Sequence, residues 1–233
     1  MKDIFGKALR DYYNGNFSEE ILTETSISEE DELPLSYLFR EYTDMPKLEK
    51  KALQLAKGRI LDVGCGAGSH SLYLQNEKKL EVTALDISEG AIEVCKNRGI
   101  QKTLQTDVFQ LKNKKFDTIL MLMNGTGIFG NYKEVPGKLK HLKQLLNENG
   151  QILIDSSDII YMFDDDEDGG KWVPMDGDYY GEVTYTLKYK GETETSSWLY
   201  LDFNTLKNLA EMAGLQCELI AEGSHYDYLA RLT

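Results

Sequence analysis

The residues best suited to chemistry follow an apolar run at 60–63, which breaks into three closely spaced glycines, Gly64, Gly66 and Gly68. A turn of this kind brings bare backbone close to a ligand. A triphosphate-binding loop needs a Gly-Lys-Ser/Thr ending, and no Lys or Arg stands between Gly64 and Gly68. The dinucleotide fingerprint needs a third glycine where this chain has Ser69, although small residues are sometimes allowed there.

Asp62, two residues before the first glycine, separates the ligands that remain. A carboxylate at the mouth of the turn repels the pyrophosphate of a dinucleotide and attracts an ammonium group. S-adenosylmethionine carries an ammonium on its methionine end and a sulfonium cation, so the pattern Asp62-x-Gly64-x-Gly66-x-Gly68 favours it. The alternatives for Asp62 are an exposed loop carboxylate or a helix cap.

Two later segments are typical of an adenosine site. "VTALDIS" contains Asp86, and a carboxylate at such a strand end can hold two ribose hydroxyls in either cofactor. The alternative for Asp86 is an N-cap beside Ser88. In "QTDVF", Asp107 has an acceptor for the adenine amino group, and Val108 has a surface to pack on the ring.

The elements that must position these residues alternate between strands and helices from residue 60 to about 155. Short apolar runs predict strands at 60–63, 80–85, 102–105, 117–123 and 151–155, with helices at 69–76, 89–97 and 138–146. Ser88 is the predicted N-cap of the second helix. This alternation builds a parallel sheet with helices on both faces, and ligands bind beyond the carboxyl ends of its strands.

The flanking regions predict additions to this core. Alternation around Gly191 predicts an antiparallel hairpin at 181–189 and 193–201. Asn204 or Thr205 is the predicted cap of a helix that runs to Met212, and a closing strand pair is predicted at 215–221 and 226–232. We therefore divide the chain into a mostly helical N-terminal cap at 1–57 and a cofactor-binding domain at 58–233, with a hairpin insertion at about 171–202.

Residues 60–156 resemble the core of the class I S-adenosylmethionine-dependent methyltransferases. The resemblance is carried by "LDVGCGAG", "ALDIS", "TDVF", "FDTILMLMN" and "LLNENGQILIDSSD", and the ending "LAEMAGLQCELIAEG" resembles the family's last helix and strand pair. It implies an α/β fold: a Rossmann-like, seven-stranded, mostly parallel sheet with helices on both faces. Matched to the family's motifs, the residues implied to bind the cofactor are Asp62, Gly64, Gly66, Gly68, Asp86, Ile87, Asp107, Val108 and Met123.

The acceptor predicted from the sequence is a small molecule. Enzymes that methylate base amino groups carry Asp/Asn-Pro-Pro-aromatic after the fourth strand; Asn124 fits, but Gly125 and Thr126 do not. The 26 basic and 39 acidic residues give a net charge of −13, which disfavours nucleic acid because its binding depends on a basic face. Protein substrates stay open. The rival functions are a nicotinamide-dinucleotide oxidoreductase and a non-catalytic regulator that binds S-adenosylmethionine.

Candidates for catalysis and for substrate contact are more loosely defined. Of the histidines, His225 is the first candidate for a base, ahead of His70 and a solvent-facing His141, and Asn124 is a candidate catalytic residue. Arg40 has the charge to pair with the cofactor's carboxylate, or else forms a surface salt bridge. Substrate contacts are expected from aromatic residues of the cap, which serve equally well in packing: Tyr12, Tyr13, Tyr37, Tyr161 and Trp172.

The remaining sequence features bear on cellular location and metal binding. Three widely separated cysteines and the absence of a membrane-length apolar run predict a cytoplasmic protein without disulfides. The expected assembly is a monomer or homodimer, and the sequence does not fix which. The acidic run from Asp164 matches the first half of a calcium loop, but its twelfth position is Met175 instead of Glu. No metal is therefore predicted.

Overall fold

A computed structural model describes residues 2–164, 171, 173 and 179–233. The substrate candidate Trp172 and most of the acidic run examined for calcium lie outside the described residues. The strands are β1 (Ile21–Thr25), β2 (Ser28–Leu33), β3 (Arg59–Val63), β4 (Glu81–Asp86), β5 (Thr103–Gln105), β6 (Phe116–Met121), β7 (Leu146–Ser157), β8 (Glu182–Tyr189), β9 (Glu192–Leu199), β10 (Cys217–Glu222) and β11 (Asp227–Leu232). The helices are α1 (Ile4–Tyr13), α2 (Leu35–Leu38), α3 (Lys47–Leu55), α4 (Ser69–Asn76), α5 (Glu89–Asn97), α6 (Val135–Gln144) and α7 (Phe203–Met212).

Seven strands form the main sheet in the order β10-β11-β7-β6-β3-β4-β5. The strands from β7 to β5 are parallel, and β11 and β10 are antiparallel additions at one edge. The order reverses at β3, so the carboxyl ends of β3, β4 and β6 meet beside one crevice, which is where ligands bind in such sheets. The predicted α/β fold with a seven-stranded, mostly parallel sheet is confirmed.

Both faces of this sheet are buried, and neighbouring residues of a strand serve opposite faces. In β3, Leu61 packs with the layer of α6 and α7, whereas Ile60 packs with α3 and α4. In β7, Ile152 and Ile154 belong to the first layer and Leu153 to the second. Because side chains alternate along a strand, Asp62 and Asp155 at the strand ends lie on the α3/α4 side.

Of the helices predicted between residues 60 and 155, α6 departs from its predicted bounds: it spans Val135–Gln144 instead of 138–146, because β7 already begins at Leu146. Helices α4 and α5 have the predicted bounds, and the Ser88 hydroxyl accepts a 2.9 Å hydrogen bond from the Ala91 amide, which confirms the N-cap. The cap of α7 is corrected to Asp202, because its carboxylate accepts a 3.0 Å bond from the Thr205 amide. Asp is a favoured N-cap, and it stands two residues before the predicted Asn204.

The N-terminal region contains helices, as predicted, and also a β-hairpin that the sequence analysis missed. Strands β1 and β2 join the predicted hairpin β8–β9 in a second, antiparallel sheet of order β2-β1-β8-β9. Leu22 pairs with Lys188, far along the chain. The outer strand β2 is acidic and largely exposed, so it lacks the alternation of polar and apolar residues that marks a half-buried strand.

The described residues contain neither a membrane-spanning helix nor a metal-binding cluster. Within them, no helix has the length and apolar character needed to span a bilayer. Across those ranges, His, Cys, Asp and Glu side chains form no group of three or more with a metal-binding arrangement.

Candidate functional site

The glycine turn between β3 and α4 uses backbone conformations that favour glycine. Gly64, Gly66 and Gly68 have φ values of +69°, +53° and +82°. A side chain at Gly68 would also place its Cβ 2.3 Å from the Ile100 Cδ1 atom. The amides of Gly64 and Cys65 donate to the Leu85 carbonyl at 2.9 and 3.1 Å, which ties the turn to the end of β4. The turn therefore presents bare backbone at the carboxyl edge.

Asp86 ends β4 directly beside this turn. Its carboxylate accepts 3.0 Å and 2.9 Å hydrogen bonds from the amides of Gly66 and Ser88. Burial raises the pKa of Asp86, although these amide bonds oppose the rise. A carboxylate has about four acceptor positions, so two are left for the hydroxyls of a ribose.

On the predicted adenine side, the exposed apolar surface comes from Ile87, whose side chain is 60% exposed. Val108 is buried in the core, and the Asp107 carboxylate accepts a 2.9 Å bond from the Phe109 amide. His141 was predicted to face solvent, which is wrong: it is half-buried, with its Nε2 atom 3.1 Å from the Val108 carbonyl oxygen. Its helix α6 packs against the segment that begins at Val108. The local sequence pattern does not predict a contact between two segments that are distant in the chain.

The N-terminal helix α1 covers this side of the turn. The Asp3 carboxylate accepts bonds from the amides of Gly6, at 3.0 Å, and Gly90, at 2.8 Å, so it joins the first turns of α1 and α5. The two helices cross closely, because a Cβ on Gly90 would lie 2.4 Å from the Gly6 carbonyl oxygen. The Phe5 ring lies 3.7 Å from the position that a Cβ on Gly66 would take.

Asp62 is buried and linked to α4. Its Oδ2 atom accepts a 2.6 Å hydrogen bond from the Ser71 hydroxyl. Burial raises the pKa of Asp62, and the nearby His70 and the Ser71 bond oppose that rise. The Asp62 carboxylate thus lies on the α3/α4 side in contact with protein groups, and the alternative of an exposed loop carboxylate is wrong.

Arg40 and His70 meet on Glu49, a residue that the sequence analysis did not single out. The Arg40 guanidinium donates to both Glu49 carboxylate oxygens, and the His70 Nε2 atom lies 2.7 Å from Glu49 Oε2. All three side chains are more than 90% buried, so the surface salt bridge considered for Arg40 is wrong. A signal existed in the sequence: Glu49 lies four residues after Met45 and four before Leu53, on the apolar stripe of α3.

The charges in this cluster stabilise one another. Burial opposes ionisation of Glu49, but the bonds from His70 and Arg40 outweigh it and lower its pKa. Burial likewise opposes charge on His70, yet the Glu49 bond and the nearby Asp62 raise its pKa. The guanidinium carbon of Arg40 lies 3.8 Å from the centre of the Tyr37 ring. Among the described residues, the buried Arg40 Nε atom has no hydrogen-bond partner.

The segment after β6 turns sharply at the same edge. Met123 and Asn124 have φ values of +66° and +60°, which are uncommon for residues other than glycine. The Met123 side chain is 36% exposed, and the Asn124 carboxamide oxygen accepts a 3.1 Å bond from the Ser156 hydroxyl. Asp155, which the sequence analysis placed only in a strand, accepts hydrogen bonds from the amides of Met123 and Gly125.

Strand β9 of the second sheet closes over this segment. The Trp198 ring lies so near Gly127 that a Cβ there would be 2.0 Å from it. The Thr126 hydroxyl donates to the Leu199 carbonyl at 2.9 Å, and the Leu201 amide donates to the Ser156 hydroxyl at 2.9 Å. The second sheet is thereby fixed to the ends of β6 and β7.

The predicted base and substrate residues are spread around this closure. His225 is exposed in the turn between β10 and β11, and Asp227 pairs with Ser157, so that turn lies at the carboxyl edge. Tyr161 stacks on Tyr226 beside it, with ring centres 4.9 Å apart. Tyr37 is 36% exposed.

The other two tyrosines make packing contacts within the N-terminal region and with α5. The Tyr12 ring packs against Phe17 and Phe39, with centres 4.8 and 4.7 Å apart. The Tyr13 hydroxyl donates a 3.0 Å bond to the Asn97 carbonyl.

An open cavity of about 410 Å³ beside the Arg40 cluster is lined by Pro34, Ser36, Tyr37, Arg40 and Asp44.

Residues 60–150 match a family model described as a methyltransferase domain. The chain is 46% identical to an S-adenosylmethionine-dependent methyltransferase from Bacteroides fragilis, solved in complex with S-adenosyl-L-homocysteine; the match covers 100% of this chain and 94% of that one, with a TM-score of 0.90. A sugar N-methyltransferase from Streptoalloteichus sp ATCC 53650 shares the fold at 14% identity, over 87% of this chain and 94% of that one, with a TM-score of 0.59.

A curated relative, ribosomal RNA small subunit methyltransferase C of Actinobacillus pleuropneumoniae serotype 5b, is 32% identical over 42% of this chain and 32% of its own length. The first curated relatives are thus matched over less than half of their length, at 46% and 32%. The Bacteroides fragilis structure is matched almost throughout at an identity that establishes common family. The comparisons also decide between the two cofactor classes weighed from the sequence, against the dinucleotide. The chain belongs to the class I S-adenosylmethionine-dependent methyltransferases.

Proposed function

We propose that this protein transfers a methyl group from S-adenosylmethionine to a small-molecule acceptor at the carboxyl edge of the main sheet. The cofactor supplies a methyl group on a sulfonium centre whose departure leaves a neutral thioether. The protein's main task is then to align the acceptor with that methyl group and to exclude water. No covalent intermediate with the protein is required.

The cofactor site that we propose extends along the ends of β3, β4, β5 and β6. The free acceptor positions of Asp86 suit ribose hydroxyls, and Ile87 presents exposed apolar surface to the adenine. Arg40 lines an open cavity, and among the described contacts its Nε–H group has no acceptor. A free N–H donor of a guanidinium suits the cofactor's carboxylate. The proposed cofactor-binding residues are Asp62, Gly64, Gly66, Gly68, Asp86, Ile87, Asp107, Val108, Met123 and Arg40.

The observation that carries the small-molecule proposal is the closure of the transfer side by β9. Trp198 packs on Gly127, and the end of β9 is bonded to Thr126. A nucleic acid needs an open, basic face, whereas this chain has a net charge of −13. The ribosomal RNA methyltransferase relative supports the common core only, because the match covers 32% of its length.

Incubation with methyl-labelled S-adenosylmethionine tests the proposal directly. The label is offered with the small-molecule fraction of a cell extract, with total RNA, or with the protein fraction. We expect labelled product in the small-molecule fraction alone. Label in RNA or protein would refute the acceptor class, and no label in any fraction, with the cofactor still bound, would support the non-catalytic regulator.

His225 and Asn124 are the proposed catalytic residues. The His225 turn stands at the carboxyl edge, and Asn124 lies in the segment after β6. We expect His225→Ala to lower the turnover number more than cofactor affinity, because the turn contacts the acceptor side. Single-turnover kinetics would measure this, and a rate equal to that of the unmodified protein would remove His225 as the base.

A further inference from the structure

The turn that leaves β6 is held in an uncommon conformation by one side chain. Both Met123 and Asn124 are left-handed, a conformation that residues other than glycine adopt where their surroundings compensate its steric cost. The Asp155 Oδ2 atom accepts from the Met123 amide at 3.0 Å, and Oδ1 accepts from the Gly125 amide at 2.9 Å. The carboxylate therefore spans the two left-handed residues and binds an amide on either side of them.

We propose that Asp155 is a positioning residue for methyl transfer: its carboxylate fixes the Met123–Gly125 turn, which contributes the proposed cofactor residue Met123 and the proposed catalytic residue Asn124 to the transfer site. The inference rests on the proposed function, since this turn contains the proposed cofactor residue Met123 and the proposed catalytic residue Asn124. It adds a residue on β7, which acts through the backbone amides of the segment after β6 and need not touch either ligand.

The fit around Gly125 shows how little freedom the turn has. A Cβ on Gly125 would lie 2.6 Å from the Met121 Cβ and 3.3 Å from the Ile154 Cγ1. The backbone is thus pressed against β6 and β7 while its amide points to Asp155. Loss of one of the two carboxylate bonds would free the amide of a turn that has no room to settle elsewhere.

The surroundings make the Asp155 carboxylate sensitive to pH. Burial raises its pKa to about 6, and Glu49 from α3 adds to the rise, whereas the two amide bonds and His70 from α4 oppose it. Tyr37 from α2 also interacts electrostatically with Asp155. Protonation converts one acceptor oxygen into a hydroxyl group, so the turn loses part of its support as the pH falls through about 6.

Amide chemical shifts test the contact without any need for turnover. We expect the Met123 and Gly125 amide resonances of the unmodified protein to move with a midpoint near pH 6. In Asp155→Asn that movement should vanish, because an amide side chain does not titrate and offers one acceptor oxygen in place of two. Asp31→Asn, which changes an exposed carboxylate on β2, should leave both resonances as they were. The proposal would be overturned if the Met123 and Gly125 resonances of the unmodified protein did not shift with pH, or if they shifted equally in Asp155→Asn.

Turnover separates a positioning role from a merely structural one. The rate of label transfer to the small-molecule fraction should fall about tenfold or more in Asp155→Asn, since misplacement of the order of 1 Å costs about that much or more. The S-adenosyl-L-homocysteine dissociation constant should change less than about threefold, because most of the proposed cofactor contacts remain. The acid limb of the pH profile near pH 6 should also disappear in the variant.

Two outcomes would count against the proposal, and both differ from failure of the proposed function. Asp155→Asn with turnover and pH profile like those of Asp31→Asn would refute the positioning role. If Asp155→Asn lowers turnover only in proportion to the fraction of protein that stays folded, Asp155 serves folding alone. If the unmodified protein labels no acceptor at all, the proposed function fails, and the amide titration still decides whether Asp155 controls the turn.

Discussion

At the residue scale, the carboxylates of the site differ in how many protein partners they already have. Asp86 accepts hydrogen bonds from two backbone amides and retains acceptor positions for a ligand. Glu49 is fully engaged by Arg40 and His70, and its side chain is more than 90% buried. This difference predicts that Asp86 serves ligand affinity and Glu49 serves stability.

Replacement of Asp86 by Ala is expected to weaken cofactor binding by about 1.5–3 kcal/mol, because charge-assisted hydrogen bonds to the ribose are lost. Part of the loss would come from the Gly66 amide, which would no longer be tied to β4. Calorimetric titration with S-adenosyl-L-homocysteine measures the effect, with Asp31→Ala as the surface control. Equal affinity in the two variants would place the ribose elsewhere.

Replacement of Glu49 by Gln is expected to cost about 3–5 kcal/mol of unfolding free energy, since it leaves the Arg40 charge buried without its counter-charge. Glu218→Gln, which breaks an exposed pair with Arg231, should cost less than about 1 kcal/mol. Denaturant unfolding of the two variants measures the contrast. Similar losses in both would mean that the buried cluster adds no more than a surface pair.

The same carboxylate sets an acid limit on stability. The folded pKa of Glu49 lies below its usual 4.5, so its contribution is complete above pH 4.5 and is lost as the pH falls through the lower folded value. Asp155 acts in the opposite direction: its folded pKa of about 6 exceeds the usual 3.8, so its contribution to stability is lost as the pH rises from 3.8 to about 6 and is restored by acidification through the same range.

Local spacing predicted the glycine turn, Asp86 and Asp107 at the carboxyl edge, because each follows a strand that can be recognised by itself. Glu49 and Asp155 were missed as site residues for a different reason. Their partners come from other elements: Arg40 and His70 bind Glu49, and the segment after β6 binds Asp155. Only the packing of α3 and α4 on the sheet brings these groups together.

At the element scale, the helices of the core were predictable and the second sheet was only partly so. Helices α4 and α5 combine an apolar face with a defined start, and both signals are local. The β1–β2 hairpin depends on pairing with β8, a partner remote in sequence. Its outer strand carries Glu29, Glu30, Asp31 and Glu32, a composition that does not predict a strand.

The contact between β9 and the β6 exit can be tested with glycine substitutions. Gly127→Ala would place a Cβ 2.0 Å from the Trp198 ring, so we expect a loss of about 1–3 kcal/mol and a fall in turnover. Gly137→Ala, inside α6 with open space around it, should be neutral or stabilising by about 0.5–1 kcal/mol. Thermal denaturation measures both, and equal behaviour would show that Trp198 moves aside freely.

At the scale of the whole molecule, the acidic charge and the two sheets point to the same kind of acceptor. The net charge of −13 repels polyanions, and the second sheet covers the segment after β6, which we propose to line the transfer site. The core match at 60–150 contains the proposed cofactor residues except Arg40, whereas the covering sheet lies outside that match. Acceptor choice should therefore be determined by the regions that flank the common core.

A bound ligand should stabilise the whole fold. S-adenosyl-L-homocysteine at about 100 times its dissociation constant adds about 2.7 kcal/mol, which is about 5–10 °C in melting temperature for a chain of this size. A nicotinamide dinucleotide at the same concentration should give no shift. A larger shift with the dinucleotide would contradict the cofactor assignment.

The pairing of β1 with β8 also sets an order of events during synthesis. Lys188 forms ion pairs with Glu24 of β1 and Glu30 of β2, and Glu24 precedes it by 164 positions. At typical translation rates of about 5–20 residues per second, the early hairpin waits about 10–30 seconds on the ribosome for its partner strand. Its acidic outer edge suits that delay, because charged edge strands resist pairing with other nascent chains.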